Sequence, residues 1–204
     1  MVTIARRDAE AETLEGVFAG GTEGETRGVV LAPPHPLYGG SLESPVLSEL
    51  AWAAARVGLV SLRFNWRGVG ASAGAPSGDA AAADADYRSA LDHLAETVGG
   101  PLVAGGYSFG SAAAVRAAAA ERRVERLLLV APPPALVAPA ALAASGRRTL
   151  VLVGEYDTLA PVRELAAALR DAGHVELRVV PNADHFFLEG LPEVGRLALE
   201  WLGA

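Results

Sequence analysis

The chain has 204 residues, 51% of them hydrophobic, and a formal net charge of −7, so it has the size of one domain (residues 1–204) and the material for a substantial core. The acidic balance argues against a nucleic-acid backbone as partner, because phosphate binding needs a basic face, and against an anionic membrane surface. With no cysteine, a disulfide scaffold and a thiolate metal site are excluded.

All seventeen basic residues are arginine and glutamine is absent, a bias that a GC-rich bacterial genome explains about as well as heat tolerance does. The start, Met1 to Asp8, carries charges where a signal peptide needs its apolar core. The longest uncharged stretch, Leu127 to Gly146, is broken by Pro132, Pro133, Pro134 and Pro139, so it is not one spanning helix. The expectation is a soluble, cytoplasmic protein.

Short β-type runs alternate with helix-type runs. Thr13 to Phe18 reads as one arm of an antiparallel hairpin at the sheet edge, and Val29 to Ala32 as a strand. Val46 to Arg56 has helical spacing, with Val46, Leu47, Leu50 and Ala54 near one face. Leu59 to Phe64 is the next strand, and roughly Ala80 to Thr97 a helix with Tyr87, Leu91 and Leu94 on one side. Asp79, Asp84 and Asp86 read as its solvated start. The apolar run Pro101 to Gly105 is a strand, Ser111 to Arg122 a helix, Leu127 to Val130 and Leu150 to Val153 strands. Between those last two there is room for a loop and one short helix, Ala135 to Ala144, but not for a lid domain. Pro161 suits the first turn of a helix running to Asp171. Leu177 to Val180 is the last strand, and Pro192 opens a final helix to Leu202. Strands that are apolar throughout imply a sheet covered on both faces. The alternation implies a doubly wound, mostly parallel α/β sheet flanked by helices.

Chemistry concentrates at Gly106-Tyr107-Ser108-Phe109-Gly110, which reads Gly-x-Ser-x-Gly between a strand and a helix. A serine on so tight a turn stands clear of the backbone, and only small residues fit two positions either side. A serine hydroxyl needs a base to take its proton, and the base needs a third group to hold its tautomer. His185 and Asp157 lie just past later strands, in the order Ser, Asp, His. Glu155 and Asp184 are weaker candidates for the acid. Arg67 reads as a structural clamp, and His35 as a brace for its own loop. The four histidines are too scattered for a metal site, and no loop has a phosphate-binding signature.

Four segments make a specific resemblance: His35-Pro36-Leu37-Tyr38-Gly39-Gly40-Ser41, Phe64-Asn65-Trp66-Arg67-Gly68-Val69-Gly70, the serine elbow, and Gly154-Glu155-Tyr156-Asp157 with Asp184-His185. The chain resembles a lid-less member of the α/β-hydrolase superfamily, similar to small bacterial hydrolases related to dienelactone hydrolases and short-chain esterases. The resemblance implies Ser108 as nucleophile, His185 as general base and then acid, and Asp157 as the orienting carboxylate. It implies an oxyanion hole from the backbone N–H of Phe109 and a second donor from the loop after Val29 to Ala32. Pro36 has no N–H, so Leu37 is the expected second donor, with Tyr38 next. Dienelactone hydrolases use a cysteine nucleophile, which this chain lacks.

Tyr38, Gly39, Tyr107 and Phe186 are candidates to line the substrate site, and Phe109, Phe187 and the apolar segment Pro132 to Ala144 are further candidates. The expected activity is a serine hydrolase acting on small or medium acyl esters, with no cofactor and no metal. A thioesterase or peptidase needs the same residues. A binding or scaffold protein that keeps the fold without catalysis is the alternative from another class.

Overall fold

In the computed structural model, which describes residues 1–204, eight strands form one sheet in the order β1-β2-β4-β3-β5-β6-β7-β8. β1 (Val2–Ala5) and β2 (Thr13–Gly20) are antiparallel, and β2 pairs antiparallel with β4 (Val60–Phe64). β3 (Gly28–Ala32), β5 (Leu102–Tyr107), β6 (Val124–Val130), β7 (Arg148–Gly154) and β8 (Val175–Val180) continue the sheet from β4 in parallel. The arm expected at the sheet edge is β2, which lies one strand in; β1 forms the edge.

Every residue of β3 and β5 is buried, because helices cover both faces of the sheet. α1 (Pro45–Arg56) packs with α6 (Leu191–Gly203), and α2 (Ala80–Val98) with α3 (Phe109–Ala120). Val46, Leu47, Leu50 and Ala54 of α1 all turn into the core, as do Tyr87, Leu91 and Leu94 of α2. Each large side chain so buried stabilises the fold by ~1.5–3 kcal/mol. α2 starts where the Asp79 carboxylate accepts the Ala82 N–H at 2.8 Å, and it stops at Gly99, whose φ of 70° closes the last turn.

Four helix bounds differ by two residues or more from the sequence expectation. α3 begins at Phe109 rather than Ser111, since the elbow runs straight into the helix, and it ends at Ala120 rather than Arg122. α4 (Pro139–Ala144) starts four residues later than Ala135, because Pro139 tolerates the first turn of a helix but not its interior. α5 (Val162–Ala168) ends before Asp171. Only α4 lies between β6 and β7, so there is no lid. No helix is long and apolar enough to cross a membrane.

Asp86 overturns the reading of a solvated helix start. Its side chain is 1% exposed and binds Arg67 three times: from Nη2 at 2.7 Å, from Nε at 3.1 Å and from the backbone N–H at 2.9 Å. Arg67 is thus the clamp expected of it, tying the loop after β4 to α2. Breaking such a pair by removing one partner typically costs about 3–5 kcal/mol.

Candidate active site

The elbow at Ser108 is built by close backbone approach. A Cβ on Gly106 would lie 2.3 Å from the Gly110 carbonyl carbon, and one on Gly110 would lie 2.3 Å from the Ala32 oxygen. Ser108 itself has φ 54° and ψ −116°, a region that side-chain-bearing residues enter only when the surroundings enforce it. They do so here. The Ser108 N–H donates to the Val130 carbonyl at 2.8 Å, and the Ser111 hydroxyl donates to the Gly106 and Val130 carbonyls at 2.7 and 3.0 Å.

The fold brings Ser108, His185 and Asp157 together. The Ser108 hydroxyl lies 2.9 Å from His185 Nε2, and His185 Nδ1 lies 2.8 Å from Asp157 Oδ2. The other carboxylate oxygen, Oδ1, accepts the N–H groups of Leu159 and Ala160 at 2.8 and 2.7 Å. Burial works to raise the Asp157 carboxyl, but the hydrogen bonds from His185, Ala160 and Leu159 outweigh it and hold the group below its ordinary value. An ionised acceptor at Nδ1 puts the imidazole proton on Nδ1 and leaves Nε2 free to accept from the serine.

The loops carrying Asp157 and His185 are laced together. The Tyr156 N–H donates to the Ala183 carbonyl at 2.9 Å, and Glu155 accepts the Asn182 N–H at 3.0 Å. Glu155 therefore braces the histidine loop, and Asp184 accepts the Phe186 N–H at 2.9 Å. Neither touches the imidazole nitrogens.

On the other side of the serine, the loop after β3 forms a 3-10 turn at Pro36–Tyr38. The Leu37 N–H, expected to serve an oxyanion, is instead donated to His35 Nδ1 at 3.2 Å. The imidazole caps its own turn, as its bracing role implied, and burial lowers its basicity. The His35 N–H meets no acceptor within the chain, as is also true of the Gly39 and Ser41 N–H groups farther along the loop. The His35 ring packs on the Phe109 ring at 4.7 Å between centroids. The Phe109 N–H sits at the first position of α3, where a helix offers it no acceptor.

Of the candidate lining residues, Tyr38 and Phe186 are 87% and 65% exposed, and Gly39 is open to solvent. Tyr107 lines nothing, which corrects that expectation. It is 5% exposed, and its hydroxyl donates to the His185 carbonyl at 2.7 Å. Burial, with the charges of Asp157 and Asp184, raises the phenol and keeps it protonated. Phe109 and Phe187 are likewise buried, Phe187 edge-on to Tyr107. Pro132, Pro133 and Val137 pack inward, whereas Leu136 is exposed.

No protein-family profile and no curated protein matches the chain. Solved structures do. An α/β serine hydrolase homologue from Coxiella burnetii is 27% identical, with a TM-score of 0.87 over 98% of this chain and 96% of that one. A lid-less α/β serine hydrolase from Xanthomonas campestris is 23% identical, with a TM-score of 0.81 over 98% and 91%. The esterase domain of a Rhodothermus marinus protein is 17% identical, with a TM-score of 0.76 over 99% and 96%. The chain belongs to the α/β-hydrolase superfamily. It is a lid-less α/β hydrolase whose serine, histidine and carboxylate stand on the loops at the carboxyl ends of β5, β8 and β7.

Sequence reasoning passed over one residue that shapes this hydrolase site. The Trp66 indole N–H donates to the Pro33 and Pro34 carbonyls at 3.2 and 3.0 Å, and its ring meets Phe109 edge-on. It anchors the loop that carries His35. Its place in Phe64-Asn65-Trp66-Arg67, just past a strand, was the available signal.

Proposed function

We propose that this α/β hydrolase is a serine hydrolase cleaving small or medium acyl esters through an acyl-enzyme. The observation that carries the reading is the unbroken relay from the Ser108 hydroxyl to His185 Nε2, and from Nδ1 to an ionised Asp157. As Ser108 Oγ attacks the ester carbonyl, Nε2 takes its proton, and Asp157 stabilises the imidazolium that forms. The oxyanion is received by the Phe109 N–H and, in place of Leu37, by the free His35 N–H. Nε2 then protonates the departing alcohol. A water, deprotonated by the same nitrogen, hydrolyses the acyl-Ser108 ester to the acid and the free serine.

The absence of a lid supports small or medium acyl groups over long-chain lipids, since no inserted domain between β6 and β7 covers the serine. A fluorophosphonate probe with p-nitrophenyl esters of increasing chain length tests both parts. Wild-type protein labels, Ser108→Ala does not, and Ser108→Ala lowers turnover by on the order of 10⁵–10⁶-fold. Failure of wild-type protein to label between about pH 7 and 9 returns the chain to the non-catalytic reading. A chain-length optimum at long acyl groups rejects the substrate class.

A further inference from the structure

Most of the large apolar side chains that stand exposed on this protein gather at one edge. Of ten such residues, seven lie on the loops that follow β3, β6, β7 and β8, around Ser108. Scattered exposed apolar residues need no explanation, whereas a gathered set marks a binding surface.

Three of the seven are aromatic, Tyr38, Tyr156 and Phe186, and two of these connect by ring contacts to the reacting groups. Tyr38 lies 4.8 Å from the His35 ring, which in turn packs on Phe109, the residue after the serine. Phe186 stands edge-on to His185 at 5.7 Å. The sheet order sets them on opposite sides, because β3 flanks β5 on one side and β8 lies beyond β6 and β7 on the other. Ser108, at the end of β5, therefore sits between two uncovered rings.

The charge on these loops is one-sided. Residues 33–44, 131–138, 155–161 and 181–190 contain no lysine or arginine, but they contain Glu43, Glu155, Asp157, Asp184 and Glu189. Arg67 of the loop after β4 is spent on Asp86, and the first cation past these loops is the exposed Arg163 in the first turn of α5. Within the loops themselves an anionic substrate meets several like charges and no cation.

We infer that Tyr38 and Phe186 are the two jaws of an aromatic clamp, and that the preferred ester is uncharged and carries a flat unsaturated group on its acyl side. This rests on the serine-hydrolase reading and narrows its substrate. Flat rings gain from stacking beyond the area they cover, by an amount equivalent to about two- to tenfold in affinity.

The test uses p-nitrophenyl esters of three acids of similar size: 3-phenylpropionic acid, 3-cyclohexylpropionic acid and the half-ester of adipic acid. p-Nitrophenyl acetate, which shares their leaving group, is the reference without an acyl ring. Wild-type protein prefers phenylpropionate over cyclohexylpropionate by about fivefold in kcat/KM and disfavours the adipate half-ester by about tenfold or more. Tyr38→Ala and Phe186→Ala each lower the ratio of phenylpropionate to acetate turnover by about fivefold. Trp52→Ala, an exposed ring on α1 outside these loops, leaves that ratio unchanged. All three positions are at the surface, so the variants fold. An unmoved ratio in both clamp variants, or preference for the adipate half-ester, overturns the inference while the hydrolase reading stands. A wild-type protein that neither labels nor cleaves any ester overturns both.

Discussion

Replacing Gly110 by alanine puts the elbow's geometry to a quantitative test. In an unconstrained helix the change favours the variant by about 1 kcal/mol, because glycine is the poorer helix former. Here the new methyl would meet the Ala32 oxygen at 2.3 Å and the Pro33 oxygen at 2.6 Å. Ordinary contact begins near 3.4 Å, so the end of β3 and the loop carrying His35 must retreat by about 1 Å. Overpacking of this kind costs ~1–3 kcal/mol, and a displacement of that size at a catalytic group costs on the order of 10²-fold in rate. Urea unfolding should show a lower midpoint at unchanged slope, with kcat/KM on a p-nitrophenyl ester falling by about 10²-fold. Gly173→Ala is the control: nothing lies within 4 Å of its added methyl, so stability should stay within about 0.5 kcal/mol. If Gly110→Ala keeps wild-type stability and turnover, the elbow does not depend on that approach and the reasoning fails.

Tyr107→Phe removes the tether from the phenol to the His185 carbonyl while keeping the ring; kcat should fall by about tenfold with KM little changed, and stability by ~1–2 kcal/mol. Unchanged kcat would mean that the bond does not position the base. Asp157 titrates below its ordinary 3.8 in the folded chain, so its ionised form is favoured by folding. Its contribution to stability is complete above about pH 5 and is lost as pH falls through the depressed folded value. The stability gap between wild type and Asp157→Asn, measured by urea unfolding from about pH 7 down to 3, should therefore shrink toward the acid end. A gap that is constant or widens contradicts the sign.

The parallel core was legible because its strands carry a plain chemical signature: β3, β5 and most of β6 and β7 are unbroken apolar runs, as burial on both faces demands. The grouping of Ser108, Asp157 and His185 was legible for a related reason, since loops after parallel strands emerge at one edge of the sheet. What escaped were relations that spacing does not encode. Asp86 looks like a solvated residue near a helix start until Arg67, nineteen positions earlier, is seen folded onto it. Tyr107 looks like a pocket wall until its hydroxyl is found turned under the histidine loop. Leu37 looked like a free donor because the direction of the His35 ring, which takes its N–H, cannot be read from a run of prolines.

The sheet's two open sides are defended in different ways. β1 is only four residues long, and β8 sets Glu176 and Arg178 side by side in a mutual ion pair. A short border and a charged one are both poor templates for another chain's strand. A protein that leaves so much apolar surface uncovered around Ser108 thereby limits sticky contact to the one rim where a guest molecule has to land, and strand-to-strand aggregation gains no foothold at either margin.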